Sequence, residues 1–452
     1  MRPTPLAPNV VSNRIDRAGN TIANVTAILL DRLNTTTADQ AWANKQVLEV
    51  LHSLQPGDRV ALFTMGRLVR VIADFTADPE RVRAAMARLG PEQSFDLAAS
   101  DPTGQDGIMS DSDIPVIGDA EPDQGTQNAI ATMNQFAMER RIELTAEAMQ
   151  VMARHLAGFF GRKNLIWVSS SFPFTYEFRE SDNALQRITP AVRALNDANV
   201  AIYPIDPRGL KTIPPPAAPT RAPSRTRQTA PQPQVGLSGI DTMNILAKET
   251  GGRTFYNSND LTRGMRAALE DAQSTYILGF YPEEEELAEK FHDLNLKVDR
   301  KGVETHHRAR YFAGNMVPLT AAQRRDALRN VFATPLEATG IGLSAVITPE
   351  KEEPAKSVVA IRIDLTDLQP EQQGDRWVVQ VDLATLSSIT KPAKLRIETF
   401  TLSFSADQLR HAMEEGYILI RPVETNGTAG ALRLALQGRT TGAVGSVTLQ
   451  LR

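Results

Sequence analysis

The chain has 452 residues, a hydrophobic fraction of 42%, a charged fraction of 23% and a formal net charge of −4 at pH 7. A single hydrophobic core rarely serves so long a chain, so we expect two or three domains. The nearly balanced charge gives no reason to expect a nucleic-acid partner. The absence of cysteine excludes disulfides, thiolate metal sites and a cysteine nucleophile.

The amino-terminal residues 1–13 are polar and proline-rich, and they have no apolar signal core. No apolar run reaches the roughly 18 residues that a membrane-spanning helix needs. We therefore predict no membrane span. We expect either a cytoplasmic chain or a chain whose export segment lies upstream of this sequence.

After a loose lead-in at 1–23, residues 24–312 alternate strand and helix patterns, which predicts a doubly wound, mostly parallel α/β sheet. Only Gly66-Arg67 separates the second and third strands, so these should form a hairpin with one antiparallel edge strand. The predicted strands are 24–31, 58–65, 68–74, 164–170, 199–205, 252–257, 274–281 and 291–299, with 303–312 as a terminal edge. The predicted helices are 38–54, 78–89, 127–160, 182–198, 239–250 and 260–272.

Two insertions interrupt this alternation, at 90–126 and at 207–238. The first is rich in Asp, Gly, Ser and Pro, but it lacks the Asp-x-Asp-x-Asp-Gly register and the closing Glu of a calcium loop. We expect a solvated loop there rather than a calcium site. The second contains Pro214-Pro215-Pro216 and several arginines, which is typical of a flexible proline-rich excursion.

Residues 313–331 are expected to form a polar helical linker. From 332 to 452 the pattern changes to short strands with turn signals between them. This spacing predicts an all-β sandwich of immunoglobulin or fibronectin type. Its predicted strands are 341–348, 357–365, 375–383, 394–403, 415–424, 430–438 and 443–451.

The first predicted strand ends in the most informative position of the sequence. Residues 25–30 are apolar and partly β-branched, which indicates a strand buried on both faces. Asp31 ends this run, and amide and hydroxyl side chains follow it up to Thr35. Open α/β sheets bind ligands at the carboxyl ends of their central strands. Because oxygen ligands suit a hard divalent cation, Asp31 marks a candidate Mg²⁺ site.

Six stretches, in their order and spacing, resemble a von Willebrand factor type A (VWFA) domain, and more specifically the VWFA-related proteins of Acidobacteria. They are Leu30–Thr35, Gly57–Phe63, Gly161–Ser169, Ala201–Gly209, Leu246–Gly252 and Tyr276–Phe280. The resemblance implies a VWFA or Rossmann-like fold over 24–312. Because such proteins usually begin with an export signal, it also implies a secreted or periplasmic location.

The resemblance further implies a metal-ion-dependent adhesion site, whose metal is completed by an acidic residue of a protein partner. Asp31 matches the first Asp of that motif, Thr35 its second Ser and Thr145 its Thr, while Ser170 stands in place of its second Asp. Leu33 replaces the first Ser and cannot be a ligand. The expected metal is Mg²⁺, Mn²⁺ or Ca²⁺, held weakly because one carboxylate is lost. The alternative is a metal-free arrangement in which Asp31 hydrogen-bonds the region of Thr35 and Ser170.

Three functions remain open at this point. The first is a non-enzymatic protein-binding or adhesion module that presents the face of its degenerate metal site to a protein partner. The second is a metal-independent structural or assembly scaffold. The third, a hydrolase using Asp31 and the serines 169–171, has least support because no base is placed beside those serines. We therefore predict that the protein is not an enzyme.

Overall fold

The computed structural model describes residues 9–14, 25–52, 54, 58–76, 78–100, 124–159, 161–170, 183–210, 239–273, 276, 278–280, 290–303, 305–313, 319–349, 356–388, 395–424 and 430–451. Residues 101–123 of the first insertion and 211–238 of the second lie outside these residues, while Phe95–Ser100 of the first insertion form a helix that was predicted as loop.

Two regions follow one another along the chain. The α/β region contains β2 (Val25–Asp31), α1 (Thr37–Leu51), β3 (Arg59–Met65), β4 (Val69–Thr76), α2 (Pro79–Met86), α3 (Phe95–Ser100), α4 (Gln124–Leu156), β5 (Lys163–Val168), α5 (Asn183–Asp197), β6 (Val200–Ile205), α6 (Gly239–Thr250), α7 (Leu261–Gln273), β7 (Lys290–Asp293) and β8 (Arg310–Ala313). The β-rich region contains β1 (Val10–Ser12), α8 (Ala321–Ala333), β9 (Leu343–Pro349), β10 (Lys356–Ile363), β11 (Glu371–Gln373), β12 (Arg376–Ser387), β13 (Leu395–Phe404), α9 (Ala406–Glu415), β14 (Tyr417–Glu424), β15 (Gly430–Gly438) and β16 (Val444–Leu451).

The central sheet of the α/β region has the strand order β4-β3-β2-β5-β6. All pairs are parallel except β3 with β4, which is antiparallel. The two faces of β2 are both covered, because successive side chains of a strand point to opposite sides. Leu29 packs with α4, α5 and α6, while Ile28 packs with α1, α2 and α7. The predicted doubly wound sheet with an antiparallel edge hairpin is therefore confirmed.

Three further predicted strands do not join this sheet in the described part of the chain. In 252–257, Phe255 makes one isolated parallel bridge to Ile205, since Gly251 at φ +80° turns the chain just before it. In 274–281, the residues that are described, 276 and 278–280, are not in a strand, and their side chains are exposed. In 291–299, only the first residues form a strand, β7, which pairs with β8 in a separate two-stranded sheet. Of these three segments, only the last forms a described strand, and its partner β8 lies at the end of the predicted terminal edge 303–312.

The β-rich region consists of two antiparallel sheets. One has the order β1-β9-β10-β14, and the other has β11-β12-β15-β16 with β13 also paired to β12. Ile361 of β10, Val381 of β12 and Leu434 of β15 belong to one buried cluster, so the two sheets share a core. All seven predicted strands are present, which confirms an antiparallel β-rich region. Its immunoglobulin or fibronectin type stays a prediction.

Several elements of this region differ from the sequence prediction, and one is the short strand β11, which pairs with β12 and was not predicted. The lead-in contributes β1, whose Val10 pairs with Val346 of β9. The helix of the predicted linker, α8, buries Leu328 and Val331 in a cluster with residues of β12, β15 and β16, so it belongs to the β-rich region. Helix α9 was not predicted, and a capping box formed by Ser405 and its third helical residue starts it. No helix among the described residues is both long and apolar enough to cross a membrane.

The carboxyl end of α4 connects the two regions. Thr339 donates its backbone N–H to the carbonyl of Arg154 (3.1 Å), and its hydroxyl accepts the N–H of Gly158 (2.8 Å). Nδ1 of His155 lies 2.8 Å from the carbonyl of Glu337, so that nitrogen carries the proton. These bonds fix the chain entering β9 against the end of α4.

Replacing Gly158 by alanine should weaken this junction. A Cβ on Gly158 would overlap the carbonyl oxygen of Thr339, which is backbone and cannot swing away. We expect Gly158→Ala to lower the free energy of unfolding by about 1–3 kcal/mol, a typical cost of overpacking. Gly66→Ala is the matched control, because a Cβ there meets nothing within 4 Å. Urea unfolding of both variants measures the change. An equal loss of stability in the two variants would show that the close contact between Gly158 and Thr339 does not contribute to stability.

Candidate functional site

The turn that follows β2 is built around Asp31. Asp31 is the last residue of β2, lies opposite Met65 of β3 and is only 2% exposed. The backbone N–H groups of Arg32 and Leu33 both donate to the carbonyl of Met65, at 2.7 and 3.1 Å. The chain therefore turns sharply after the strand, and the N–H groups of the turn are brought towards the Asp31 side chain.

Five donors surround the Asp31 carboxylate. Oδ1 accepts the backbone N–H groups of Leu33 (2.9 Å) and Asn34 (2.8 Å). Oδ2 accepts the side-chain amide of Asn34 (2.8 Å), the indole N–H of Trp167 (3.1 Å) and the hydroxyl of Ser169 (2.7 Å). A carboxylate offers about four lone-pair positions, so these donors fill its capacity.

The protonation state of Asp31 follows from the same contacts. Burial raises the pKa of the carboxyl, while the hydrogen bonds from Asn34 and Ser169 and the charge of Arg141 lower it. Four of the five donors are N–H groups, which cannot accept a hydrogen bond. They fit the ionised carboxylate, and a protonated one would leave at least one of them without a partner.

A buried guanidinium supports this arrangement from α4. Nε of Arg141 donates to Oδ1 of Asn34 (3.0 Å), and Nη1 donates to the hydroxyl of Ser100 on α3 (2.6 Å). Thr145, one turn further along α4, accepts the amide of Asn34 (3.0 Å) and donates to the carbonyl of Arg141 (2.7 Å). The network thus joins the β2 turn, α3, α4 and β5, and it places a fixed positive charge near Asp31.

The four predicted metal ligands fall into two groups. Asp31 and Thr145 are linked through the amide of Asn34. Thr35 and Ser170 form a separate pair, in which the N–H of Ser170 donates to the Thr35 hydroxyl at 3.2 Å. The hydroxyl of Ser170 donates to Asp39 of α1 at 3.0 Å, a contact that was not predicted. Sequence reasoning did not assign Asn34, Arg141 or Trp167 to the site, and it named Ser169 beside Asp31 only for the hydrolase alternative.

The residues present do not fit a divalent metal. Mg²⁺ needs free oxygen lone pairs in near-octahedral geometry, whereas those of Asp31 are taken by five donors. A cation there would also lie close to the Arg141 guanidinium. Within the described residues, no group of three or more His, Cys, Asp or Glu side chains is arranged to hold a metal. In the described structure, Asn34 binds the Asp31 carboxylate and Arg141 binds Asn34.

Large apolar side chains are exposed beside this network. Since β2 and β3 are parallel, the turn after β3 lies at the same end of the sheet as Asp31. In that turn Leu68 is 49% exposed, and on the neighbouring helices α3 and α4 Phe95 is 63% and Phe136 67% exposed. Exposed apolar side chains that gather in one place mark interaction sites more often than single ones do.

Two arginines flank these apolar side chains. Arg67 binds the buried carboxylate of Asp96 with two hydrogen bonds (2.8 and 3.2 Å), and its guanidinium lies 5.8 Å from the centre of the Phe95 ring. Arg140 lies one turn after Phe136 on the same face of α4, 4.0 Å from Asp96. We call Leu68, Phe95, Phe136, Arg67 and Arg140 the edge patch.

Comparisons with known proteins find similarity only among solved structures, and the similarity is low. No family model matches the chain, and no curated protein matches it. An aerotolerance-related membrane protein from Bacteroides fragilis, solved with multiple mutations to serines, is 12% identical over 55% of this chain and 99% of its own, with a TM-score of 0.30. A von Willebrand factor type A protein from Catenulispora acidiphila is 10% identical over 95% of this chain and 66% of its own, with a TM-score of 0.25. A mutant PilB minor pilin from Streptococcus sanguinis is 7% identical over 57% of this chain and 63% of its own, with a TM-score of 0.30.

Because these TM-scores are below 0.5, the fold assignment stands on the strand order and connectivity. A central β2, parallel neighbours on both sides and an antiparallel edge hairpin define a doubly wound α/β region, while the resemblance to a von Willebrand factor type A domain stays a prediction. The site at the carboxyl end of its central strand is a closed polar network. The β-rich region follows it in the same chain.

Proposed function

We propose that this protein is a non-enzymatic, metal-independent binding module that contacts a protein partner through the edge patch. The observation that carries the proposal is the exposure of Leu68, Phe95 and Phe136 at the sheet end where open α/β folds bind ligands. Apolar anchors with arginines at their border are the composition that protein interfaces favour. Adhesion is one form that such binding takes.

The buried network supports the proposal by holding the patch rigid. Arg141 ties α4 to α3 through Ser100, and Asp96 ties α3 to the β3–β4 turn through Arg67. The three elements that carry the patch are therefore fixed relative to one another before a partner arrives. A pre-organised surface loses less conformational entropy on binding, so more of its contact energy becomes affinity.

The same contacts disfavour a hydrolase. The hydroxyl of Ser169 donates to Asp31, whose carboxylate is filled by four other donors and cannot serve as a free base. The hydroxyl of Ser170 is bound to Asp39 on α1. We therefore propose that neither serine is a nucleophile. A secreted or periplasmic location, which would suit an adhesion module, stays a prediction.

The double variant Phe95→Ser/Phe136→Ser tests the proposal. Both side chains are largely exposed, so the variant should fold like the parent while losing its anchors. We expect partner capture from extracts of the producing cells, followed by cross-linking and mass spectrometry, to fall at least tenfold. Ile418→Ser/Ile420→Ser is the matched control, because it removes two exposed apolar side chains of the β-rich region.

The outcomes separate three functions. We expect the cross-linked partner to be lost only in the patch variant. We also expect a chelator to leave capture by the parent unchanged. Loss on chelation would instead favour the metal-dependent adhesion site. Equal capture by the parent and both variants would overturn the patch as the contact surface and favour the scaffold alternative.

A further inference from the structure

His155 lies at the junction where the carboxyl end of α4 meets the chain entering β9. Its Nδ1 lies 2.8 Å from the carbonyl of Glu337, and its own carbonyl accepts the hydroxyl of Thr339 at 2.8 Å. His155 is only 6% exposed, and the centre of its ring lies 5.5 Å from that of Phe63 on β3. His155 therefore contacts the α/β region on one side and the chain leading into the β-rich region on the other.

The two ring nitrogens of His155 have different surroundings. Nδ1 carries the proton, because a carbonyl oxygen accepts a hydrogen bond only from a donor. Nε2 is therefore the basic nitrogen of the neutral ring. It is buried, and it has no hydrogen-bond partner in the described structure. A proton added at Nε2 would create a buried, charged N–H group without an acceptor among the described residues, which is costly.

Charged groups of the neighbouring elements act on this ring in both directions. Burial lowers the pKa of His155, while the hydrogen bond to the carbonyl of Glu337 and the carboxylates of Asp74 and Glu337 raise it. Arg433 lies 3.6 Å from the carboxylate of Glu337 and partly offsets its charge. The cations of the surrounding elements are Arg154 on α4, Lys163 on β5 and Arg433 on β15. Burial is the largest effect, so the pKa of His155 lies below its ordinary value of 6.5.

Protonation of His155 is linked to opening of this junction. Residues 336–339 hold the chain against α4, since Leu336 is buried in the core cluster of the α/β region and Thr339 donates to the carbonyl of Arg154 at 3.1 Å. Once this chain moves away, Nε2 reaches water and titrates near its ordinary pKa of about 6.5. Below that pH the open junction binds a proton that the closed junction does not, so acid favours opening. Above it both forms are neutral, and the contact has its full strength.

We propose that this junction is an acid-sensitive latch. Near neutral pH it holds the chain entering β9 against α4, and it releases that chain when Nε2 of His155 takes up a proton from the solvent. Release loosens the attachment of the β-rich region to the α/β region. The latch does not rest on the edge patch, because His155 lies at the other end of the described contacts of α4.

Hydrogen exchange of the full chain, followed by mass spectrometry at about pH 7.5 and about pH 5.5, tests the proposal. The protection of each peptide, corrected for the intrinsic exchange rate, gives the opening constant of its segment. We expect the opening constant of the peptides covering 154–159 and 335–340 to rise by about threefold to tenfold at the lower pH. Peptides of β2 and β5 should show no such rise, because the latch opens without the central sheet.

Variants of His155 show whether this residue is the titrating group. His155→Asn removes the imidazole, while its side-chain amide can still donate to the carbonyl of Glu337. In this variant the opening constants at the two pH values should be equal. His155→Phe is a second variant without a titrating group, and it keeps a ring in place if the asparagine variant does not fold. His411→Asn, at an exposed histidine of α9, is the matched control and should keep the response of the parent.

Three results would overturn the latch. The first is an opening constant of the parent that does not change with pH. The second is a rise that persists in the folded variants of His155, because another group would then be titrating. The third is an equal rise in the peptides of β2 and β5, which would show general loosening by acid. None of these outcomes depends on partner capture by the edge patch.

Discussion

Asp31→Ala is expected to lower the free energy of unfolding by about 3–5 kcal/mol. The substitution removes the acceptor of five buried donors, and each buried donor left without a partner costs about 1–3 kcal/mol before the site relaxes. It also leaves the Arg141 guanidinium without the nearby charge that balances it. Urea unfolding near pH 7, analysed with a constant m-value, measures the change.

The control for this variant is Asp326→Ala. Asp326 is exposed and, among the described residues, its ion pair is with Arg329 one turn away, so its loss should change stability by no more than about 0.5 kcal/mol. The parent should also show the same unfolding midpoint with and without millimolar Mg²⁺. A saturable stabilisation by Mg²⁺ that Asp31→Ala abolishes would contradict the metal-independent network and restore the predicted ligand set, which is Asp31, Thr35, Thr145 and Ser170.

Lys163→Met is expected to raise the free energy of unfolding by about 2–3 kcal/mol near pH 7. Lys163 begins β5, is 3% exposed, and donates to the carbonyl of Phe159 at 2.8 Å. Burial lowers its pKa from 10.5 to about 8. At about 1.4 kcal/mol for each pKa unit, the buried charge of Lys163 destabilises the fold by roughly 3 kcal/mol. Methionine removes this cost but cannot make the hydrogen bond to Phe159, whose loss reduces the stabilisation by about 1 kcal/mol.

The lowered pKa of Lys163 also predicts how the stability of the parent changes with pH. Between about pH 8 and pH 10.5 the unfolded chain binds a proton at Lys163 that the folded chain has released. The parent should therefore gain stability as the pH rises through this window, while below it the cost is fully present. The advantage of Lys163→Met over the parent should shrink towards zero near pH 10. An advantage that stays constant with pH would contradict the burial of a charged amine, and Lys301→Met, at an exposed lysine, should show none.

The sequence predicted the sheet well where its signals are local. Strands β2, β3, β5 and β6 are continuous apolar runs because helices cover both faces of the sheet. The segment around Tyr276 is also an apolar run, but its described residues lie exposed. Whether such a segment pairs depends on an edge elsewhere in the fold, and local periodicity does not report that.

The candidate site was predicted only in part. Asp31 could be identified because it ends a buried strand, but the closing partners come from distant parts of the chain. Arg141 lies on α4, far along the sequence from Asn34, and no local pattern links the two. One signal was available, since Arg141 precedes Thr145 by four residues and must share its helix face. Trp167 likewise reaches Asp31 only through the parallel register of β2 and β5.

Helix α4 connects the edge patch mechanically to the β-rich region. Its 33 residues extend about 50 Å, and the part from Phe136 at the edge patch to the junction with Thr339 spans about 30 Å. A tensile force applied by a tethered partner would enter the molecule at the patch and run along this helix into the β-rich region. The polar network around Arg141 braces the helix sideways near the point of entry. One continuous helix therefore links the edge patch to the β-rich region.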